Sequence, residues 1–543
     1  VIARPYQSDA IAAIHREWET RNSTLAVLAT GLGKTIIFAH VIDELIKRGR
    51  VMVLAHREEL INQAAAKIKA VTGQTPEIEM AGQWADTHMF TRSKIIVSSI
   101  QTQVSGRDGG RMKRFDPAQF SAVVIDEAHH ATADSYQRVI AHYRQNPAVK
   151  VLGVTATPDR GDQVALGQVF ESVAYTYEIA EGVRDGWLVP ITQRSVDVEA
   201  LDLSQVRTTA GDLNGADLAE AMDSERVLHE IAHPTIEIVG RRKTLVFADS
   251  VAHAERLAEI FNRHRVDSAT WLCGETDKDE RRDIFRDFST GKFQFLVNVG
   301  VATEGYDEPT VECVVMARPT KSRALYAQCV GRGTRVLPGI VESLATVSER
   351  CAAIAASAKP SVEVIDFRGN AGRHKLICTA DILGGKESPA VIARATKAAE
   401  NGEAVNMLDE LDKAKRAIAD EMALSEKRQR EKEERERKKK EEADKRRELK
   451  INARYSSEII DPYNVWDTRS DRQHEPRPAN APTERQLFTL NRFGIDGSNF
   501  SKSQASAVIG KKFAELDARK AGRAPMPTRA PAQAPMLHEL VEF

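Results

Sequence analysis

Short apolar runs, unbroken by polar residues, recur along the first two thirds of the chain. Leu25-Ala26-Val27-Leu28, Val51-Met52-Val53-Leu54, Ile95-Ile96-Val97, Val123-Val124-Ile125 and Val151-Leu152-Gly153-Val154 alternate with stretches of helical periodicity. A run with no polar face reads as a strand covered on both sides, as in a parallel sheet flanked by helices. The rhythm returns in Thr244-Leu245-Val246-Phe247, Phe295-Leu296-Val297, Val314-Val315-Met316 and Val362-Glu363-Val364-Ile365. The pattern predicts an α/β chain with two tandem parallel-sheet domains, at 1–178 and 236–370. Residues 179–235 carry no clear motif and read as a connector.

After an extension over 371–410 the pattern changes. Leu411, Ala414, Ile418 and Met422 stand at helical spacing and lead into residues 426–450, which hold 13 basic and 9 acidic side chains. Acid precedes base by four positions in Glu431–Arg435, Glu434–Lys438 and Glu441–Lys445. That spacing supports a helix with no core, so a long charged helix is expected over 411–450. It reads either as a solvated spacer or, with its excess of base, as a strut or nucleic-acid contact. Residues 451–482, with Pro476, Pro478 and Pro482, read as a linker. A small helical module is expected over 483–518, with Thr483 and Ser501 as N-caps and Gly494 as a stop. It is either a packing unit or a docking module for DNA or a protein partner. The remainder, 519–543, reads as a flexible tail whose end is frayed or serves as a docking peptide.

The 543 residues are too many for one core, and 42% apolar with 29% charged residues fits a globular protein. A net charge of −1 excludes a basic coat for nucleic acid, so any such surface must be local. No apolar run is long enough to span a bilayer, and no membrane partner is expected. Arg4, Asp9, Arg16 and Glu17 interrupt the N-terminal apolar residues, unlike a signal peptide. The five scattered cysteines fit reduced core thiols and a cytoplasmic location.

The first apolar run leads through Ala29-Thr30-Gly31-Leu32-Gly33-Lys34-Thr35 into Ile36-Ile37-Phe38. Strand, glycine turn and helix in that order let backbone N–H groups approach a polyphosphate. Lys34 is placed to neutralise the β- and γ-phosphates, and Thr35 to ligate Mg²⁺. The general expression wants a further glycine where Leu28 stands. Val123-Val124-Ile125 leads into Asp126-Glu127, two acids at the end of a buried strand, where parallel sheets place ligands. Asp126 suits Mg²⁺ held through water, and Glu127 suits polarising an attacking water.

Asp126-Glu127-Ala128-His129 resembles the DEAH box of superfamily 2 helicases, and other motifs follow in that family's order. Arg4-Pro5-Tyr6-Gln7 resembles the Q motif, Ala55-His56-Arg57-Glu58-Glu59-Leu60 motif Ia and Ser98-Ser99-Ile100-Gln101-Thr102 motif Ib. Thr155-Ala156-Thr157-Pro158 resembles motif III, and Val246-Phe247-Ala248-Asp249-Ser250 motif IV. Ala302-Thr303-Glu304-Gly305-Tyr306-Asp307 resembles motif V, and Gln328 to Arg335 motif VI. The resemblance covers about 1–370. It implies two RecA-like P-loop domains that close on ATP and Mg²⁺. Nucleotide contacts would come from Arg4, Gln7, Thr30, Gly31, Gly33, Lys34, Thr35, Gly305 and Asp307. Thr35 and Asp126 would hold the metal, and Glu127, Lys34, Gln328, Arg332 and Arg335 the chemistry, with the two arginines as fingers. His129, Thr155 and Thr157 would couple hydrolysis to movement. Arg57, Ser99, Gln101, Thr303 and Thr320 would contact nucleic acid through its backbone.

The nearest likeness is to the type III restriction-subunit/XPB-like branch, including RadD-like helicases. It implies DNA, as single strand or fork, and 3′ to 5′ movement. No nuclease motif and no zinc-type cysteine cluster accompany it. A duplex translocase that never unwinds, an RNA helicase and a catalytically silent DNA-binding scaffold stand as alternatives.

Overall fold

The structure is a computed structural model, and it describes residues 1–87, 93–106, 110–156, 166–303, 305–372, 374–385, 387–452 and 479–520. Seven strands form the first sheet: β1 (Ser23–Leu28), β2 (Arg50–Ala55), β3 (Glu77–Glu79), β4 (Ile95–Ser99), β5 (Phe120–Asp126), β6 (Lys150–Thr155) and β7 (Val173–Tyr177). Their order is β3-β4-β2-β5-β6-β1-β7, and every pairing is parallel. β1 and β2 are buried along their whole length, as their unbroken apolar runs require. The helices α1 (Pro5–Glu17), α2 (Lys34–Leu45) and α3 (Glu58–Thr72) pack on this domain.

A second sheet follows, built from β8 (Ile191–Asp202), β11 (Thr244–Phe247), β12 (Ala269–Leu272), β13 (Phe295–Asn298), β14 (Cys313–Met316), β15 (Val362–Asn370) and β16 (Val405–Asn406). The short strands β9 (Thr208–Thr209) and β10 (Asp212–Leu213) form a separate hairpin. The order is β12-β13-β11-β14-β15-β8-β16, parallel except for β16. The two parallel sheets expected from the apolar rhythm are therefore present. β8 comes from the stretch read as a connector. Its burial alternates along Ile191-Thr192-Gln193-Arg194-Ser195, because it lies near the sheet edge and one face is only half covered.

Residues 1–437 and 438–543 form two compact units, and both sheets belong to the first. The helix Met407–Asn452 buries Leu411 and Ala414 near its start, and from 419 to 449 every side chain is exposed. In the second unit, the helices Glu484–Arg492 and Lys502–Lys520 pack through Leu490 and Ala505. Phe493 and Phe513 meet edge to face at 5.5 Å. Thr483 caps the first helix by accepting from the Gln486 N–H, and Ser501 accepts from the Gln504 N–H. Thr157, linker residues 453–478 and tail residues 521–543 lie outside the described residues. Among the described residues, no helix is long and apolar enough to cross a membrane.

Candidate active site

β5, β6 and β1 are neighbours in the first sheet and run the same way, so their C-terminal ends share one edge. That edge carries Asp126 and Glu127 after β5, Thr155 at the end of β6, and the glycine loop after β1. Gly33 has φ 73° and caps α2, whose N–H groups open toward the loop. A Cβ at Gly33 would stand 2.6 Å from Gln7 Nε2, so glycine is required there by space as well as by conformation. Gln7 Nε2 donates to the Leu32 carbonyl at 3.1 Å, and Tyr6 OH donates to the same oxygen at 2.8 Å. Gln7 Oε1 accepts from the Arg4 N–H at 2.9 Å. The Arg4 guanidinium lies 4.7 Å from the ring centre of Trp187. The start of α1 is thus built onto the phosphate loop.

Lys34 Nζ lies 3.1 Å from Glu127 Oε1. Glu127 occupies the left-handed region at φ 49°, and its N–H is held by Asp126 Oδ1 at 3.0 Å. A non-glycine residue in that region marks a position whose surroundings fix it. His129 Nδ1 lies 3.1 Å from Thr155 Oγ1 and 3.5 Å from Glu127 Oε2. This joins the acidic box to the strand that precedes Thr157. Burial, and then the adjacent Glu127 charge, push the Asp126 carboxyl up to about 6.

The buried carboxyls of Asp126 and Glu127 are neighbours, and a divalent cation there would relieve their repulsion. Among the described residues, no three His, Cys, Asp or Glu side chains gather as a metal cage. Mg²⁺ takes one or two carboxylates and completes its shell with water and phosphate oxygens. Asp126 and the Thr35 hydroxyl are the residues that would hold it.

The second domain closes directly on this edge. Gln328 and Arg332 lie on the helix Arg323–Gly333, and Arg335 follows its end. A Cβ at Gly331 would stand 2.6 Å from Thr30 Cβ, and one at Gly31 would stand 3.5 Å from Arg335 Cγ. Arg335 pairs with Asp307, and its buried Nε has no hydrogen-bond partner among the described residues. Arg332 donates from Nε to the Thr303 carbonyl at 3.1 Å and from Nη1 to the Tyr306 carbonyl at 2.8 Å. The two arginines differ accordingly: one faces the phosphate loop, while the other holds the carbonyls of Thr303 and Tyr306. Gly305, in turn, accepts from Gln63 of α3 through its carbonyl.

Three supporting residues carried no motif signal. Leu188 packs 3.2 Å from the Cβ direction of Gly31 and bridges Arg335, while the Val189 N–H donates to the Thr334 carbonyl at 2.8 Å. Lys67 of α3 stands in the field of Asp307 and Asp126, and of Arg335 and Arg332. Burial lowers its ammonium below the ordinary lysine range. A lysine on an amphipathic helix reads as solvated, which hides it in the sequence.

Lys359 is the third. Its Nζ donates to the carbonyls of Pro309 and Arg335 at 2.7 and 2.8 Å, tying two motif loops together, and burial lowers it to about 7. An unfolded lysine titrates near about 10.4. Between those values the unfolded chain binds more protons, so stability rises with pH in that window and is lost as pH falls toward 7. The melting temperature is expected to carry this upward slope, and Lys359→Met to flatten it.

The residues expected at nucleic acid do not behave alike. Ser99 Oγ donates to Thr102 Oγ1 at 2.7 Å, Thr303 Oγ1 to the Gly300 carbonyl at 2.9 Å and Thr320 Oγ1 to Asp212 Oδ2 at 2.8 Å. All three are buried, so their hydroxyls are committed inside the protein in this conformation. Gln101 is exposed, with Nε2 on the His56 carbonyl at 3.2 Å. Arg57 reaches across the domains to the Gly300 carbonyl at 3.1 Å.

Comparison with known proteins matches this architecture. Residues 1–160 match the family described as "Type III restriction enzyme, res subunit", and 225–336 match "Helicase conserved C-terminal domain". The two helicase-type family models thus fall on the two parallel-sheet domains, one on each. The chain is 34% identical over 352 residues to IRC3 of Saccharomyces cerevisiae, a protein named as an ATP-dependent helicase, covering 62% of this chain and 50% of that protein. It is 30% identical over 346 residues to irc3 of Schizosaccharomyces pombe, named as a mitochondrial ATP-dependent helicase, covering 62% and 55%. The EcoAI endonuclease subunit of a type I restriction enzyme from Escherichia coli is 29% identical, covering 61% and 44%. The chain thus spans about half the length of the curated relatives it matches. An HsdR subunit fragment of a type I restriction enzyme from Vibrio vulnificus shares the fold, with a TM-score of 0.50, 20% identity and 70% of each chain covered. The fold is the tandem RecA-like pair expected from the motifs.

Proposed function

We propose that the chain is an ATP-driven DNA motor that hydrolyses ATP between its two RecA-like domains and uses the closing and opening to move along a strand and unwind. The observation that carries this reading is the closeness of motif VI to the phosphate loop, with Arg335 facing Gly31 and Gly331 against Thr30. A polyphosphate on the α2 N-terminus would draw Lys34 from Glu127. Glu127 is then the base that takes the proton of the attacking water, oriented by its bond to Asp126 and by His129. Arg335 meets the charge that develops on the γ-phosphoryl oxygens. Mg²⁺, when bound, neutralises and orients the phosphates. Arg332 is a positioning residue, since its guanidinium is spent on the carbonyls of Thr303 and Tyr306.

Hydrolysis in this scheme requires closure, and closure moves Arg57 and Gln101 of one domain relative to the 300–306 loop of the other. The names of the restriction-enzyme relatives support DNA as the strand. Displacement of a labelled strand from forked DNA by ATP, and not by a non-hydrolysable analogue, tests the reading. No displacement from any fork refutes unwinding.

Closure itself has a test at Gly331. In a helix alanine is preferred to glycine, so Gly331→Ala leaves the second domain folded. Its Cβ would collide with Thr30 across the interface. Turnover is expected to fall by about 10- to 100-fold, the scale of a misplacement of about 1 Å in a catalytic group. The melting temperature stays near that of the wild type. Unchanged turnover would mean that the closed arrangement is not the hydrolytic one.

A further inference from the structure

Trp84 stands apart from everything the hydrolytic site uses. It is 58% exposed, while Trp18 and Trp187 are buried and Trp271 is half-buried. Single exposed apolar residues are common and need no special role. Trp84 differs in how it is held. The Arg111 guanidinium lies 3.5 Å from its ring centre and that of Arg114 lies 4.6 Å away. Both arginines are fixed from below by the fully buried Glu79, at 3.0 and 3.2 Å. Glu79 also accepts from the Ala85 N–H at 2.8 Å. Arg111 donates to the Ala81 carbonyl at 2.6 Å, and Arg114 to the Ala85 carbonyl at 3.3 Å. The turn that presents the indole is therefore pinned on both sides, and the residue still faces solvent.

Its place matters as much as its rigidity. The Met80–Gln83 turn bonds to motif Ib, because the Ala81 N–H donates to Thr102 Oγ1 at 3.2 Å. Thr102 is also the partner of the Ser99 hydroxyl. The Arg111 and Arg114 guanidiniums lie over the ring, and Glu79 is the buried acid that holds them. An exposed aromatic ring backed by stacked guanidiniums, next to a backbone-tracking motif, is the arrangement that holds an unpaired nucleobase near its flanking phosphates.

We propose that Trp84 is a stacking platform for an unpaired base of single-stranded nucleic acid passing motif Ib, the base lying on the ring's solvent-facing side and Arg111 and Arg114 near the phosphates. The assignment rests on the motor reading above and adds to it a base contact, sequence-tolerant because every base offers a π-face. It also supplies a grip that the committed hydroxyls of Ser99 and Thr303 do not. Because the arginines are already ordered by Glu79, little side-chain freedom is lost when a strand arrives.

Binding of the full chain to oligothymidylate and to an abasic strand of equal length, followed by fluorescence anisotropy, tests this. Wild-type protein is expected to bind the base-bearing strand about 10-fold more tightly, the scale of one aromatic stacking contact. Trp84→Ala erases that preference and Trp84→Phe keeps most of it. The salt dependence of binding stays the same in both, since no phosphate contact is removed. A Trp84→Ala protein that keeps the full preference overturns the assignment. Should that variant fail to fold, by far-ultraviolet circular dichroism, quenching of the wild-type tryptophan emission by oligothymidylate and not by the abasic strand supports it, and equal emission with both overturns it. Wild-type protein that binds neither strand overturns the motor reading as well. The same pair of strands built on ribose separates RNA from DNA.

Discussion

Arg335→Ala is expected to lower ATP turnover by about 10³-fold or more, the scale of a lost arginine finger, while leaving nucleotide binding nearly intact. The two effects separate because the phosphate loop and Lys34 lie on the first domain and Arg335 on the second. Asp307 aims the guanidinium, and its approach to Gly31 puts it where phosphoryl charge would grow. Arg335→Lys restores little, since a single ammonium cannot reproduce a planar fork of donors that spans both Asp307 and a phosphate. Turnover and nucleotide affinity, measured separately, check this. A loss of affinity that accounts for all of the effect would make Arg335 a binding residue instead. Arg332→Ala serves as the contrast: its loss acts through the Thr303 and Tyr306 backbone, so it weakens the nucleic-acid response along with hydrolysis.

The second large effect falls on Glu127. Glu127→Gln keeps the shape of the side chain and removes its basicity, so turnover drops by about 10²- to 10⁴-fold, the usual contribution of a placed general base. Binding of ATP survives and tightens, because Lys34 no longer shares itself with a carboxylate 3.1 Å away. The left-handed backbone at φ 49° is unaffected by an isosteric change. Pre-steady-state mixing with ATP would show the nucleotide bound and uncleaved. Turnover within a few-fold of wild type would place the base elsewhere.

The parts legible in the sequence are those whose chemistry is local. A glycine turn between strand and helix, or two acids at the end of an apolar run, declares itself within a few residues. The parallel neighbourhood of β1, β6 and β5 then brings Lys34, Thr155 and Asp126 to one edge. What stayed hidden depends on partners far along the chain. β8 escaped notice because Thr192, Arg194 and Asp197 break its apolar run, although it pairs along most of β15. Leu188 supports the phosphate loop only because the chain folds back between Gly31 and Arg335. The hydroxyls of Ser99 and Thr303 lie in motifs and Thr320 was expected beside them, but a sequence does not say whether a hydroxyl faces a strand or a neighbouring carboxylate such as Asp212. Nothing local to Trp84 marks it, because the arginines stacked on it are held by Glu79 and come from a later segment of the chain.

In the proposed motor, hydrolysis needs closure of the two domains, and a bound strand favours that closure. The most direct measurement of this is the steady-state ATP turnover of the full chain with single-stranded DNA, duplex DNA, forked DNA and RNA side by side. Turnover should be low without nucleic acid and rise by an order of magnitude or more with the single-stranded or forked DNA. Turnover that is absent throughout, or that ignores every strand offered, would contradict it.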